Sequence, residues 1–274
     1  MVQPGGDLNR SDVYPWKDAS GIPIAWSGTD VTGGWIYWNN IARFVYDKTI
    51  NLVTVYAPPK TGHDLINELY IENTLPFILS LRGFEVIHAS AILAPGGVIA
   101  FSAFSGTGKS TTAYALQSRG YSVWADDAVI FRPDQGKFIC EPIPFNLRLY
   151  PEMVTAVKNH PAAQIKTTNR SPHQHPEPKP LAAICLLERQ RPEQLHESAS
   201  ITKLPIQAAF TQVLPQAYNF EQNNLIRSRK MMLTYLDLVS TIPIYKLSYP
   251  NGIKALQQLF DDLEATIISK YYSI

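Results

Sequence analysis

The chain has 274 residues, 45% of them hydrophobic and 17% charged, with a formal net charge of +1. That length suffices for one large domain or two smaller ones, and the composition lies far from the low-hydrophobicity, high-charge signature of disorder. The balanced charge gives no reason to expect nucleic acid or an anionic membrane surface as the main partner. Cys140 and Cys185 stand alone in apolar, β-like stretches, which reads as two buried thiols rather than a zinc site or a disulfide framework. The first residues, MVQPGGDLNRSDVYPW, contain no apolar segment of the kind a secretion signal needs, and no apolar run is long enough for a bilayer. The expectation is a cytoplasmic protein.

From Ile22 to Tyr56, short runs such as GWIYW, ARFVYD and NLVTVYA are rich in β-branched and aromatic residues and are separated by Gly, Asn and Asp clusters. That pattern predicts strands and hairpins. HDLINELYIENTLPFILSLRG, residues 63–83, carries apolar residues at helical spacing and stops at a glycine suited to a C-cap. The strands EVIHASAIL and GVIAFSAFS follow, then a glycine turn, the helix KSTTAYALQSRG and the strand YSVWADDAVIF. Strand, loop, helix and strand in that order make an α/β unit.

Beyond it, KFICEPIPFNLRLY reads as β-like, and PEMVTAVKN as a helix opened by Pro151. Residues 160–180 are rich in Pro, His and Thr and poor in apolar residues, which predicts a mobile loop. LAAICLLER reads as a buried strand. ITKLPIQAAFTQVL and NLIRSRKMMLTYLDLVSTI read as a mixed helical region, PIYKLSY as a last strand, and NGIKALQQLFDDLEATIISKYY as a closing helix.

The glycine turn carries the chemistry. A phosphate cradle needs consecutive backbone N–H groups aimed at one anion from the start of a helix. In Ser105-Gly106-Thr107-Gly108-Lys109-Ser110-Thr111 the glycines permit that backbone and its close approach. Lys109 can reach the outer phosphates of a nucleotide, and the Ser110 hydroxyl can ligate magnesium. Ala103 stands where the usual G-x-x-x-x-G-K-[ST] pattern has its first glycine. One helix later, Asp126 and Asp127 end a strand at the edge where phosphates should lie. One carboxylate there can face the metal, and the other can take a proton from an attacking hydroxyl. His88, in an apolar strand expected beside the strand of the loop, is by itself better explained as a core residue.

IHASAIL together with FSGTGKSTTAYALQSRGYSVWADDAVIF resembles the catalytic domain of HPr kinase/phosphorylase and its HPr-kinase-like relatives. His88 lies 22 residues before Ser110 and Asp127 lies 17 after it, spacings like the family's. The resemblance rests on residues 86–131, with weaker likeness in LRLYP and PIYKLSY. It implies an α/β fold with a P-loop kinase core of the HPr kinase and phosphoenolpyruvate carboxykinase type. A β-rich region over 1–83 would pack on a catalytic domain over 84–274 that includes the mobile loop. It implies ATP and Mg2+ as cofactors, with Lys109 and Ser110 serving them, Asp127 as the base for a serine hydroxyl, and His88 as a supporting residue. Oligomeric relatives imply a homo-oligomer.

The sequence also departs from the family. Thr111 replaces a glutamate, the RGLGI signature is missing, and so is the PGRN segment with its arginine. Glu141 is the nearest positional candidate for the lost magnesium-binding glutamate. Arg148, Arg170, Arg227 and Arg229 are candidates for the lost cation, and Lys166 or Arg170 could reach the phosphates from a loop closing over the site. The expectation is an ATP-dependent kinase acting on a serine, or a similar hydroxyl, of a peptide or protein, as in peptide-tailoring kinases. The alternatives are a small-molecule kinase or carboxykinase-like enzyme on the same core, a non-catalytic ATP-binding module and a plain ATPase.

Overall fold

The computed structural model describes residues 13–18, 20–104, 107–145, 177–190, 199–221, 224–250 and 253–271. Contacts divide the chain into two compact units, Met1–Phe84 with Asn219–Met231, and Glu85–Tyr218 with Met232–Ile274.

In the first unit, strands β1 (Val13–Lys17), β2 (Pro23–Asp30), β3 (Gly33–Trp38), β4 (Ala42–Asp47) and β5 (Leu52–Tyr56) pair in chain order, each antiparallel to the next. Short side-chain turns set this order. The Asp30 carboxylate accepts hydrogen bonds from the Thr32 N–H at 2.7 Å and its hydroxyl at 2.6 Å, and Asp47 does the same with Thr49. Gly33 is required by close approach, since a Cβ there would lie 1.9 Å from the Tyr46 carbonyl oxygen. Ala25, Ile36 and Phe44 fall on one buried face of the sheet. Helix α1 (His63–Leu69) leads into helix α2 (Leu75–Leu81), which supplies apolar cover, with Phe77 and Leu81 against Gly34.

The single helix expected over 63–83 is interrupted by a π-helical turn at Tyr70–Thr74. Pro76, at the start of α2, has no N–H to give the preceding turn, which widens there.

The second unit is built on a nine-stranded mixed sheet. Its path is β6 (Glu85–Ile87), β10 (Val129–Asp134), β11 (Lys137–Glu141), β12 (Lys179–Arg189), β8 (Gly97–Ser102), β7 (Ala89–Ala94) and β9 (Ser122–Ala125). β14 (Ile244–Tyr249) pairs with β12 and with β13 (Ser200–Lys203). β8, β12 and β14 run parallel, and β7 runs antiparallel between β8 and β9. The carboxyl ends of β8, β9, β12 and β14 and the start of β7 therefore share one edge.

Helix α3 (Lys109–Ser118) and helix α6 (Ile253–Thr266) contribute Leu116, Leu259 and Leu263 to a core with Ile92, Ile99, Phe101, Cys185 and Leu247. A fully buried side chain such as Phe101 stabilises the fold by about 2–3 kcal/mol. Arg119 fastens the end of α3 to α6 through Asp261 and Glu264. A second buried group joins Phe131, Phe138 and Tyr235, whose hydroxyl donates to the Val86 carbonyl at 3.0 Å. Both cysteines are buried, and burial pushes their thiols above the usual range.

Helix α4 (Ile206–Val213) and helix α5 (Leu225–Thr241) occupy the expected helical region, but Ser200–Lys203 forms strand β13 because it pairs with β14. The helix expected at 151–159 and residues 160–176 of the expected mobile loop lie outside the described residues. The last two residues of that loop, Lys179 and Pro180, already belong to β12. No helix among the described residues is long and apolar enough to cross a membrane.

Candidate functional site

The shared edge collects most of the residues singled out by sequence. After β8 the chain passes Ala103 and an exposed Phe104, and re-enters the described residues at Thr107. Gly108 adopts φ 110°, a left-handed value that glycine supplies without a Cβ penalty, and α3 starts at the next residue. No side chain caps this helix N-terminus. Its first-turn N–H groups, on Lys109, Ser110 and Thr111, are thus presented for an anion, with the positive end of the helix dipole behind them. Ser105 and Gly106 lie outside the described residues.

The Lys109 side chain folds back under the turn, where its Nζ donates to the Ala103 carbonyl oxygen at 3.0 Å. Ala103 is buried in the core and contributes a carbonyl that its side chain does not affect. Burial pushes the Lys109 ammonium below its ordinary pKa, while the charges of Asp127 and Asp126 pull it up. The turn is pinned from a third strand as well. Tyr249, at the end of β14, donates its hydroxyl to the Thr107 carbonyl at 2.6 Å. Burial raises the Tyr249 phenol, and the charge and side-chain hydrogen bond of Arg189 work against that rise.

YSVWADDAVIF, expected as one strand, is two. β9 ends at Ala125, and Asp127 takes φ 67° before β10 begins at Val129 in a different part of the sheet. Aspartate tolerates the left-handed region better than most residues, which suits it to this corner. The corner separates the two carboxylates. Asp126 is 6% exposed and accepts the Ser90 hydroxyl at 2.5 Å. The Asp127 side chain is 52% exposed, and its Oδ1 lies 3.1 Å from His88 Nε2.

EVIHASAIL is also two strands, broken at His88. The His88 N–H goes to the Gln216 carbonyl at 2.8 Å, and its own carbonyl accepts the Ser102 hydroxyl at 2.7 Å. Both backbone groups are therefore spent outside the β7 ladder, and the imidazole sits beside Tyr218 and against Asp127.

Glu141 does not join this group through the contact that holds it. It lies on β11 opposite Ile130, and its Oε1 accepts from Arg132 Nε at 3.1 Å. Arg227 donates to the Phe84 carbonyl, both residues belonging to the first unit, Arg229 is an exposed residue of α5, and Arg148, Lys166 and Arg170 lie outside the described residues. Among the described residues, no three His, Cys, Asp or Glu side chains gather as a metal-binding group. Ser110 and Asp126 nonetheless suit magnesium, which keeps several waters and is held by one or two protein oxygens together with substrate phosphates.

No family model matches the sequence, and no curated protein matches it. Among solved structures, the chain is similar to the Hpr(Ser) kinase/phosphatase from Coxiella burnetii, at 11% identity and a TM-score of 0.35, over 68% of this chain and 98% of that one. A likeness of that size does not fix family, ligand or activity.

Ser90, Ser102, Gln216, Tyr249 and Arg189 escaped the sequence reading. Ser90 lies in the HAS run two residues after His88, a period-two spacing that was legible. Tyr249 and Arg189 reach the edge only through the pairing of β12 with β14, which no local pattern announces.

Proposed function

We propose that the chain is an ATP-dependent phosphotransferase with a P-loop core of the HPr-kinase type, moving the terminal phosphoryl group of ATP to a serine or similar hydroxyl. The observation that carries this reading is the convergence, at one sheet edge, of an uncapped helix N-terminus with its buried Lys109 and of an exposed Asp127 paired to His88 at 3.1 Å. A protein that only binds a nucleotide has no need of the second half of that arrangement. The HPr-kinase-like spacing of His88, the glycine turn and Asp127 supports the same reading.

Phosphoryl transfer asks mainly for positioning and charge neutralisation. The α3 amides and Lys109 hold the inner phosphates against the turn. Ser110 and Asp126 would hold magnesium, which supplies charge neutralisation on the phosphates, and Ser90 keeps Asp126 oriented. His88 orients the Asp127 carboxylate. Asp127 takes the proton of the acceptor hydroxyl while the acceptor oxygen bonds the terminal phosphorus. The bond from that phosphorus to the bridging oxygen breaks, and ADP leaves with the electron pair.

The test is transfer of label from γ-labelled ATP, with magnesium, to serine-bearing peptides, free serine and small hydroxy acids. Wild-type protein is expected to label an acceptor, and D127N to bind ATP while transferring about 100-fold less or worse. ATP binding with no transfer to any acceptor would leave a non-catalytic nucleotide-binding module in place of the kinase.

A further inference from the structure

Strand β12 outruns its partner. Its pairing with β8 ends at Leu186 opposite Ser102, yet it continues through Leu187 and Glu188 to Arg189. β14 holds it in register there, with Arg189 opposite Tyr249, and the Gln190 N–H closes the end on the Tyr249 carbonyl at 2.9 Å. At this same edge β8 has already turned away into the glycine turn. The extension of β12 therefore stands beside the turn that leads to Lys109.

Tyr249 joins the two. Its hydroxyl donates to the Thr107 carbonyl at 2.6 Å and lies 3.5 Å from where a Cβ on Gly108 would sit, and Arg189 stands opposite Tyr249 across the β12–β14 pair. Tyr249 is 2% exposed, whereas Arg189 is exposed. One buried tyrosine thus has both the turn and an exposed arginine as neighbours. Lys109 lies beneath the turn on the Ala103 carbonyl. Arg189 stands exposed at the end of the strand extension, opposite the tyrosine that holds the turn. The charges already at the edge, Asp126 and Asp127, add to the negative charge of a triphosphate and call for a cation there. Arg132, on β10, is committed to Glu141 and Asp134.

We propose that Arg189 engages the terminal phosphoryl oxygens of a nucleoside triphosphate held at Thr107–Lys109, supplying a guanidinium from the end of β12. This rests on the nucleotide reading given above. A guanidinium presents a planar fork of donors that matches two phosphate oxygens, and a lysine ammonium at the same place does not.

The experiment measures binding of magnesium complexes of ADP and of a non-hydrolysable ATP analogue with an imido β–γ bridge, by calorimetry, to full-length wild type, R189Q and R189K. R189Q is expected to weaken the triphosphate analogue about tenfold or more and ADP by less than about threefold. R189K, which keeps the charge and the fold, is expected to fall between wild type and R189Q for the analogue and to match wild type for ADP. Equal losses for both nucleotides, or none for either, would overturn the assignment of Arg189 while the nucleotide reading stands. Wild type that binds neither nucleotide would overturn both.

Discussion

The two sheets of this chain are built in opposite ways. β1–β5 are neighbours in sequence and in space, joined by short turns whose Asp and Thr side chains close on themselves. The nine-stranded sheet interleaves strands from distant parts of the chain, so that β8 and β14 flank β12 although long stretches of sequence separate all three. The first sheet spends its residues on aromatic packing. The second leaves its carboxyl edge polar, with Lys109, Ser110, Asp126, Asp127, His88 and Arg189 at the ends of strands that lie far apart in the chain. Parallel strands bring their carboxyl ends together, and that places chemistry at the edge while stability comes from the interior.

This contrast predicts that substitutions in one sheet act on stability and those at the other's edge on chemistry. The largest effect is expected from D127N, with phosphoryl transfer lowered about 100-fold or more while the melting temperature and ATP affinity stay near wild type. A matching loss of ATP affinity would place Asp127 in binding instead. F44A, which empties a side chain 1% exposed in the first sheet, should cost about 3–5 kcal/mol in denaturant unfolding. The folded fraction of F44A should bind nucleotide as wild type does; weakened binding there would blur the division.

S90A removes the hydroxyl that donates to the buried Asp126 carboxylate and should cost about 2 kcal/mol, read in the same unfolding experiment. Transfer should also need more magnesium, and an unchanged magnesium dependence would detach Asp126 from the metal.

A smaller stability effect than that of F44A or S90A is expected at Lys109. Its folded-state pKa lies below the ordinary 10.5, so burying the charged form costs stability at neutral pH. That cost is relieved only as the pH climbs from the folded value towards 10.5, the window in which the unfolded chain binds more protons. K109M removes this cost together with the hydrogen bond to Ala103, so its stability should stay within about 1 kcal/mol of wild type.

The same contrast governs what could be read in advance. The hairpins of the first sheet were legible because their turns are local. So were the glycine turn and the helix after it, with Gly120 just past its end. The breaks at His88 and Asp127 were not, because each depends on a partner supplied elsewhere, the Gln216 carbonyl for one and the switch from β7 to β6 for the other. Glu141 was chosen by position along the chain, whereas the hairpin register sets it against Arg132. Arg189 was passed over because LAAICLLER reads as an apolar strand whose last residue has no evident task until β12 is laid beside β8.

The central claim is that the turn before α3 holds the phosphates of a nucleotide. Calorimetric titration of wild type and K109M with ATP and magnesium tests it most directly. The account predicts saturable binding by wild type and affinity about tenfold or more lower for a K109M protein that melts normally. Equal affinity in the two proteins would contradict it.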